Sequence, residues 1–187
     1  MQQKVNGFTL VELTVVAAGL AILATLVLPD MARFLDHHRS ATTLSNLRVD
    51  MALARTNAIM RRMQVVVCPR EAGQLNCMAG GDWSEGWLVF LDPDRDRQPG
   101  APGDLLQIRE APARSRNLLS LASNRDYLRY QSDGRAANAN LTLQACARGR
   151  FTGRLAVNNV GRVRSERPAA DEPCPFDLAE ALAGASP

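Results

Sequence analysis

The chain has 187 residues and a formal charge of +3, from 22 Lys plus Arg against 19 Asp plus Glu. This length suits one medium-sized domain, alone or with a separate segment, and 46% apolar with 22% charged residues excludes a wholly disordered or collagen-like chain. The small net charge also argues against a uniformly basic nucleic-acid-binding protein.

The first predicted element is an apolar segment, residues 8–28, in which Glu12 is the only ionisable side chain. A helix of this length rises about 30 Å, which is enough to cross a bilayer. Residues 1–7 form a short polar stub with one cation, Lys4, and such a stub keeps the amino terminus in the cytoplasm. The apolar run ends at Leu28 without the small-x-small cleavage site of a secretory signal. The sequence therefore predicts a single-pass inner-membrane helix followed by an exported, periplasmic chain.

An amphipathic helix is predicted over residues 29–62, with a kink where Pro29 removes a backbone donor. Apolar side chains recur at spacings of three and four, which places them on one helix face. These residues are Leu44, Leu47, Met51, Ala54 and Ala58. This stripe predicts a helix face that packs against a sheet. The adjacent His37 and His38 point in different directions on a helix, and we interpret them as solvated residues rather than a metal-binding pair.

Residues 63–167 contain short β-type runs separated by turn residues, with no predicted helix between them. The predicted strands are Met63–Cys68, Trp87–Leu91, Leu105–Glu110, Tyr127–Gln131, Leu141–Cys146, Arg154–Asn158 and Val160–Arg164. Such strands with short links predict a small antiparallel sheet packed on one helix, an α+β fold. Residues 168–187 form an acidic tail that we expect to be only partly ordered.

The four cysteines all follow the apolar segment, and an even set on the predicted exported side favours disulfides over free thiols. Of the three possible pairings, we expect Cys68 with Cys77, which closes a local loop, and Cys146 with Cys174, which would hold the acidic tail. A zinc site is the alternative. It is disfavoured because the chain has no Cys-x-x-Cys pair and its histidines are distant in sequence.

Three acidic residues after the second predicted strand, Asp92, Asp94 and Asp96, imitate the start of a calcium-binding loop, where alternate carboxylates converge on a cation. The imitation is partial, because Arg97 stands where such a loop has glycine and Gly103 where it has glutamate. The favoured interpretation is a polar hairpin loop. No metal or other cofactor is therefore predicted.

An arginine cluster lies in the carboxyl-terminal third of the chain. It consists of Arg148, Arg150, Arg154, Arg162, Arg164 and Arg167, opposed only by Glu166. Residues 148–167 thus hold a charge of +5, which exceeds the +3 of the whole chain. Alternate strand positions such as Arg162 and Arg164 project from one sheet face, so two guanidinium groups can meet successive phosphates. The alternatives are a solvated face or a contact between subunits.

No enzyme is predicted. Residues 81–86 have the order Gly-Asp-Trp-Ser-Glu-Gly, whereas a nucleophile elbow needs glycine two positions from the serine on both sides. The sequence has no phosphate-cradling glycine motif. The only two histidines of the chain, His37 and His38, follow closely after the apolar segment, so the rest of the sequence offers no histidine for a Ser-His or Cys-His catalytic pair.

The block Gly7-Phe8-Thr9-Leu10-Val11-Glu12-Leu13 resembles the amino-terminal signature of type IV pilins and pseudopilins. The resemblance implies that a prepilin peptidase cleaves after Gly7, so that residues 1–7 are a leader, and that the new amino group of Phe8 is methylated. It also implies that Glu12 pairs with the amino terminus of a neighbouring subunit. Such a pair is little screened inside a low-dielectric helix bundle.

A second resemblance, to the GspH/FimT branch of pilin-like proteins, spans most of the chain. The residues on which it rests are Ala54-Arg55 with Ala58-Ile59, Val67-Cys68-Pro69, Trp83, Gly86-Trp87-Leu88-Val89-Phe90 with Asp92, and Gly161-Arg162-Val163-Arg164. The resemblance implies a long amino-terminal helix and a β-rich domain outside the membrane. The Gly-Arg-x-Arg form that begins at Gly161 is similar to a DNA-binding motif of FimT-type minor pilins in naturally transformable bacteria.

The resemblance implies a minor pilin of a type IV pilus, with other pilins, prepilin peptidase and the inner membrane as partners and DNA as a further one. The alternative is a GspH-type minor pseudopilin of a type II secretion system, which takes part in protein secretion. A third hypothesis, a single-span enzyme or binding module unrelated to fibres, is disfavoured by the signature from Gly7 to Glu12.

Overall fold

The computed structural model of the protein describes residues 9–111, 118–136, 140–168 and 172–176. The predicted leader with Gly7, and Phe8 after it, lie outside this part, as does most of the predicted acidic tail. The chain divides into two compact units, residues 1–36 and residues 37–187.

The amino-terminal element, α1 (Leu10–Arg61), is one helix of 52 residues, so the two predicted helical segments form a single element that includes Pro29. Thr9 caps its start, because Thr9 Oγ1 accepts a hydrogen bond from the backbone N–H of Glu12 at 3.3 Å. The helix ends at Arg61, and the next residue, Arg62, has a φ of +54°, the left-handed conformation common after a helix.

The amino-terminal part of α1 is exposed and apolar. Every described side chain of residues 9–25 is exposed, including Leu10 at 79% and Ile22 at 64%. Among the described residues, no helical stretch has both the length and the apolar character of a membrane span. The membrane anchor predicted for residues 8–28 is therefore not confirmed and stays a prediction.

Eight strands among the described residues form two antiparallel sheets rather than one. They are β1 (Val65–Pro69), β2 (Gly86–Leu91), β3 (Leu105–Glu110), β4 (Leu119–Ser123), β5 (Leu128–Tyr130), β6 (Leu141–Ala147), β7 (Arg150–Val157) and β8 (Val163–Glu166). The first sheet has the strand order β3-β2-β1-β5, and the second has the order β4-β6-β7-β8. The observed architecture confirms the predicted α+β fold of a long helix and antiparallel sheets.

Three strands differ clearly from the prediction, and one of them, β7, begins at Arg150 rather than Arg154. Strand β4 was not predicted, because its residues, Leu-Ser-Leu-Ala-Ser, include neither β-branched nor aromatic side chains. The last strand, β8, begins at Val163 rather than Val160, because the preceding residues form a turn in which Gly161 has a φ of +80°. The backbone of this turn cannot continue a regular strand.

The predicted helix face packs against the sheets. Its residues are at most 6% exposed: Leu44, Leu47, Met51, Ala54 and Ala58. They join side chains of both sheets in one hydrophobic core. On the other face of the first sheet, Val66, Cys68, Leu88 and Phe90 form a second cluster. This cluster explains why β1 and β2 are buried along their whole length.

Both predicted disulfides are present. Cys68 bonds to Cys77 across nine residues, and Cys146 bonds to Cys174 across 28. The second bond connects β6 to residues 172–176, where the backbone N–H of Cys174 also donates to the carbonyl of Gly149 at 2.9 Å. The described start of the tail is thus attached to the second sheet.

A buried carboxylate connects the helix to the first sheet. Asp50, which is 2% exposed, accepts a hydrogen bond from Trp87 Nε1 at 2.9 Å. Its two oxygens also accept from Arg109 Nε and Nη2, each at 3.1 Å. The hydrogen bond to Asp50 raises the pKa of Arg109, whereas burial opposes the rise. The pair Asp50–Arg109 and the Trp87 N–H thereby join α1 to β2 and β3.

Candidate nucleic-acid interface

The turn between β7 and β8 positions the first residues of the Gly-Arg-x-Arg motif. Asn158 organises this turn, since its backbone carbonyl accepts from the N–H of Gly161 at 2.8 Å and its Oδ1 accepts from the N–H of Arg162 at 2.9 Å. Gly161 is buried, and its carbonyl accepts a hydrogen bond from Arg55 Nη1 of the helix at 3.4 Å. The turn is thus held against α1 while Arg162 is exposed.

Arg162 and Arg164 lie beside a third arginine that comes from the helix. Together with Arg48 of α1 they line an open cavity of about 440 Å³ at the edge of the second sheet. All three arginines are exposed, and Arg164 lies on β8, the edge strand. We name Arg48, Arg162, Arg164 and Arg167 the arginine surface. Its guanidinium groups supply planar, paired donors of the kind that bind phosphate oxygens.

Arg167 belongs to this surface through an adjoining cavity of about 130 Å³, which Arg48 also lines. His37 of α1 and Glu166 of β8 line the same cavity. The second histidine, His38, does not line it. Both histidines are exposed.

Arg154 and Glu166 are partners across β7 and β8. Arg154 Nε lies 2.7 Å from Glu166 Oε2, and the side chains are 45% and 49% exposed. The pair thus neutralises the only acidic side chain of the cluster. Exposed pairs of this kind contribute little to stability, about 1 kcal/mol or less.

Arg148 and Arg150 lie at the opposite end of β7 from the motif. Arg148 has a φ of +50° in the turn between β6 and β7, and Arg150 begins β7 and bridges to Pro173. Val157, at the other end of β7, pairs with Val163. At about 3.3 Å per residue, Arg150 lies about 20 Å along β7 from Ala156, the partner of Arg164. The cluster that is continuous in sequence is therefore divided in the fold.

Arg48 was missed in the sequence analysis. It follows Leu47 on the helix and precedes Met51 by three residues, so its position lies next to the buried stripe. An arginine at such a position is commonly a solvated residue at the margin of a helix face. Its place beside β8 depends on how the helix and the second sheet pack, which local sequence does not specify.

The predicted acidic loop follows β2. One carboxylate oxygen from each of Asp92, Asp94 and Asp96 lies within 4.8 Å of the others. Asp92 is 1% exposed, whereas Asp94 and Asp96 are exposed. The structure thus brings together all three residues that the sequence pattern singled out.

The predicted assembly residue Glu12 lies in the exposed first turn of α1, where a carboxylate interacts favourably with the helix dipole. Its predicted partner, the amino group of Phe8, lies outside the described residues. The predicted processing position, Gly7, does so too. Processing, methylation and the assembly contact consequently stay predictions.

Comparison with known proteins identifies the family. The family described as type II transport protein GspH matches residues 43–161, which is more than half of the chain. The type IV minor pilin FimU of Pseudomonas aeruginosa (strain PAO1) has the same fold in two crystal forms. The first aligns at 15% identity with a TM-score of 0.54, covering 73% of this chain and 98% of FimU. The second aligns at 15% identity with a TM-score of 0.51, covering 70% and 98%.

The minor pseudopilin EpsH of the Vibrio cholerae type 2 secretion system aligns at 11% identity with a TM-score of 0.49. That alignment covers 71% of this chain and 99% of EpsH. No match was found among curated proteins. The matched region runs from the middle of α1 through both sheets to Gly161 of the motif. The chain therefore belongs to the GspH family of pilin-like proteins.

Proposed function

We propose that this protein is a minor pilin of a type IV pilus that binds DNA through the arginine surface and has no enzymatic activity. Before assembly, residues 8–28 anchor it in the inner membrane, and its β-rich domain lies in the periplasm. After removal of the leader, the same helix joins other pilins in the fibre. Membership of the GspH family supports the pilin-like role, and the arginine surface supports DNA binding.

The helix supplies the assembly surface in this proposal. Large apolar side chains of its first turns, such as Leu10, Leu13 and Leu20, are 61% to 79% exposed. Burying them against lipid or neighbouring helices is favourable, by about 25 cal/mol for each Å² removed from water. Glu12 would be the charged residue of this surface, paired with the amino terminus of the next subunit.

The observation that carries DNA binding is the convergence of Arg48 with Arg162 and Arg164 around one open cavity. Arg48 lies on α1, whereas Arg162 and Arg164 belong to the motif, so closeness in the sequence does not explain why the three lie together in the fold. Guanidinium groups contact phosphate oxygens without reading the bases, so binding should be independent of DNA sequence. DNA that follows β7 would also reach Arg154 and then Arg148 and Arg150.

Replacement of two arginines tests this proposal. In a mobility-shift assay with the full-length chain in non-ionic detergent, Arg162→Ala with Arg164→Ala should weaken binding of duplex DNA about tenfold at moderate salt. The plot of log affinity against log salt concentration should also become shallower by about two, since each lost phosphate contact removes one counterion. Arg48→Ala alone should reduce that slope by about one.

The matched control removes two positive charges elsewhere. Arg61 lies at the end of α1, about 20 Å along the helix from Arg48, and Arg125 lies in the loop between β4 and β5. Arg61→Ala with Arg125→Ala should leave both the affinity and the salt slope close to those of the unmodified chain. If the two double variants retard DNA equally, Arg162 and Arg164 are not the binding residues.

Processing and assembly can be tested by two substitutions with different expected results. Gly7→Ala should leave the leader on most of the protein molecules, because the peptidase would no longer find glycine before the cleavage site. Glu12→Ala should be cleaved normally but fail to enter fibres, because it lacks the carboxylate for the neighbouring amino terminus. Mass spectrometry of the purified chain checks the first result, and the pilin content of sheared fibres checks the second. An unmodified chain that retains Met1 would contradict the proposed processing.

A second candidate function is a minor pseudopilin of a type II secretion system. The description of the matched family as a type II transport protein favours it. In that case the same helix would assemble with pseudopilins, and the arginine surface would contact another protein rather than DNA. Identification of the pilins or pseudopilins that copurify with the chain separates the two candidates, and so does the presence or absence of DNA binding.

A further inference from the structure

The loop that follows β2 has an arrangement of oxygen atoms that suits a divalent cation. One carboxylate oxygen from each of Asp92, Asp94 and Asp96 lies within 4.8 Å of the other two. Two oxygens that bind the same Ca²⁺, each at about 2.3 to 2.6 Å, cannot be more than about 5 Å apart. The three oxygens therefore already have separations that one calcium ion can bridge.

The buried member of this group has an oxygen without a partner. Asp92 is 1% exposed, and its Oδ1 accepts a hydrogen bond from the backbone N–H of Arg97 at 3.3 Å. Its Oδ2 is shielded from solvent and has no hydrogen-bond partner among the described residues. The carboxylates of Asp94 and Asp96 add negative charge beside Asp92, which repels its own charge. A bound cation would supply the missing partner and offset this repulsion.

A second unpartnered oxygen lies next to Asp92. Gln64 and Asp92 line one cavity of about 290 Å³, and the buried Oε1 of Gln64 also lacks a hydrogen-bond partner within the described part of the chain. The backbone N–H of Asp92 donates to the carbonyl of Gln64 at 2.9 Å, which holds the two residues together. Amide and carboxylate oxygens are the ligands that Ca²⁺ uses in proteins. Arg62 and Arg95 line this cavity and Asp94 and Asp96 do not, so Asp92 is the residue that connects it to the other two carboxylates.

The loop compensates for one of its two departures from the sequence of a calcium-binding loop. Arg97, at the position of the usual glycine, has a φ of +66°, so its backbone makes a turn of the kind that glycine allows. Asp104 directly follows Gly103, the position of the usual glutamate. Asp104 Oδ2 and Asp94 Oδ2 lie 3.6 and 3.8 Å from the point where a Cβ on Gly100 would be. Asp104 Oδ2 already accepts a hydrogen bond from the backbone N–H of Ala101 at 2.9 Å, and Asp104 is not part of the group of three aspartates.

We propose that the loop after β2 binds one calcium ion through Asp92, Asp94 and Asp96, with Gln64 as a neighbouring oxygen donor. Calcium is preferred over magnesium because a carboxylate-rich, irregular loop suits its larger and more flexible coordination shell. The ion would order the connection between β2 and β3. It would also support the loop closed by Cys68 and Cys77, because Gln98 Oε1 accepts a hydrogen bond from the backbone N–H of Cys77 at 2.8 Å.

Calcium titration by calorimetry tests this site on the full-length chain in non-ionic detergent. The unmodified chain should show saturable binding of one Ca²⁺ per chain, and Asp94→Asn with Asp96→Asn should weaken it at least tenfold. Both aspartates are exposed, so the double variant should still fold. The charge-matched control, Glu71→Gln with Glu172→Gln, removes two exposed carboxylates elsewhere and should bind Ca²⁺ like the unmodified chain.

Thermal unfolding gives a second measurement, because a ligand that binds only the folded state raises the melting temperature. Calcium should raise the melting temperature of the unmodified chain and of the control variant but not that of Asp94→Asn with Asp96→Asn, and magnesium should raise it less than calcium does. Absence of saturable heat up to about 10 mM Ca²⁺ would overturn the proposal, since this exceeds the dissociation constants of weak extracellular sites. Equal affinity in the two double variants would overturn it as well. Neither result depends on whether the arginine surface binds DNA.

Discussion

Asp50→Ala should lower the free energy of unfolding of the compact unit that begins at His37 by about 3 kcal/mol. The substitution would leave the N–H of Trp87, a side chain that is only 2% exposed, without its acceptor. It would also remove both acceptor oxygens of Arg109. The Arg109 side chain is 36% exposed and can be partly rehydrated, so the expected loss is less than that for a fully buried ion pair.

Urea unfolding followed by far-ultraviolet circular dichroism measures this loss. Asp50→Asn should cost less, about 1 to 2 kcal/mol, because an amide oxygen can still accept from Trp87 while the charge beside Arg109 is lost. Val49→Ala is the control on the same helix. Val49 is 61% exposed, so its truncation should change stability by about 0.5 kcal/mol or less. If Asp50→Ala is as stable as Val49→Ala, the carboxylate does not join the helix to the first sheet in the way described.

The parts of the fold that could be predicted are those that local pattern determines. A repeat of three and four residues places Leu44, Leu47 and Met51 on one face whatever the sheet looks like, and this face is the buried one. Alternating or continuous apolar runs bounded by turn residues likewise identified seven of the eight described strands. Both disulfides could be chosen because one closes a short loop and the other attaches the tail.

What could not be predicted depends on pairing between distant segments. The division into two sheets requires β5 to pair with β1 while β4 pairs with β6, and no local signal distinguishes this from one continuous sheet. The candidate site shows the same limit. The sequence identified Arg162 and Arg164, but only the packing of α1 brings Arg48 to them, and only the length of β7 separates Arg150 from them.

The glycine of the motif has a role that the sequence resemblance did not indicate. Gly161 is buried with a φ of +80°, and a Cβ at this position would overlap the carbonyl oxygen of Gly134 and lie 3.0 Å from Cε1 of Tyr130. This close approach of two chain segments, together with the hydrogen bond from Arg55, fixes the turn from which Arg162 projects. The glycine therefore serves the arginines by packing, and direct contact of Gly161 with phosphate is not required.

Gly161→Ala should consequently lower the free energy of unfolding by about 3 kcal/mol, of which about 1 kcal/mol comes from the left-handed backbone and the rest from the steric overlap. Gly149→Ala separates the two contributions, because Gly149 has a similar φ of +76° but open space where a Cβ would be. Urea unfolding of both variants should therefore show a difference of about 2 kcal/mol. Equal stability of the two variants would mean that the turn relaxes without strain. In that case close packing against Gly134 would not explain the glycine of the motif, and its role would have to lie in direct contact with phosphate.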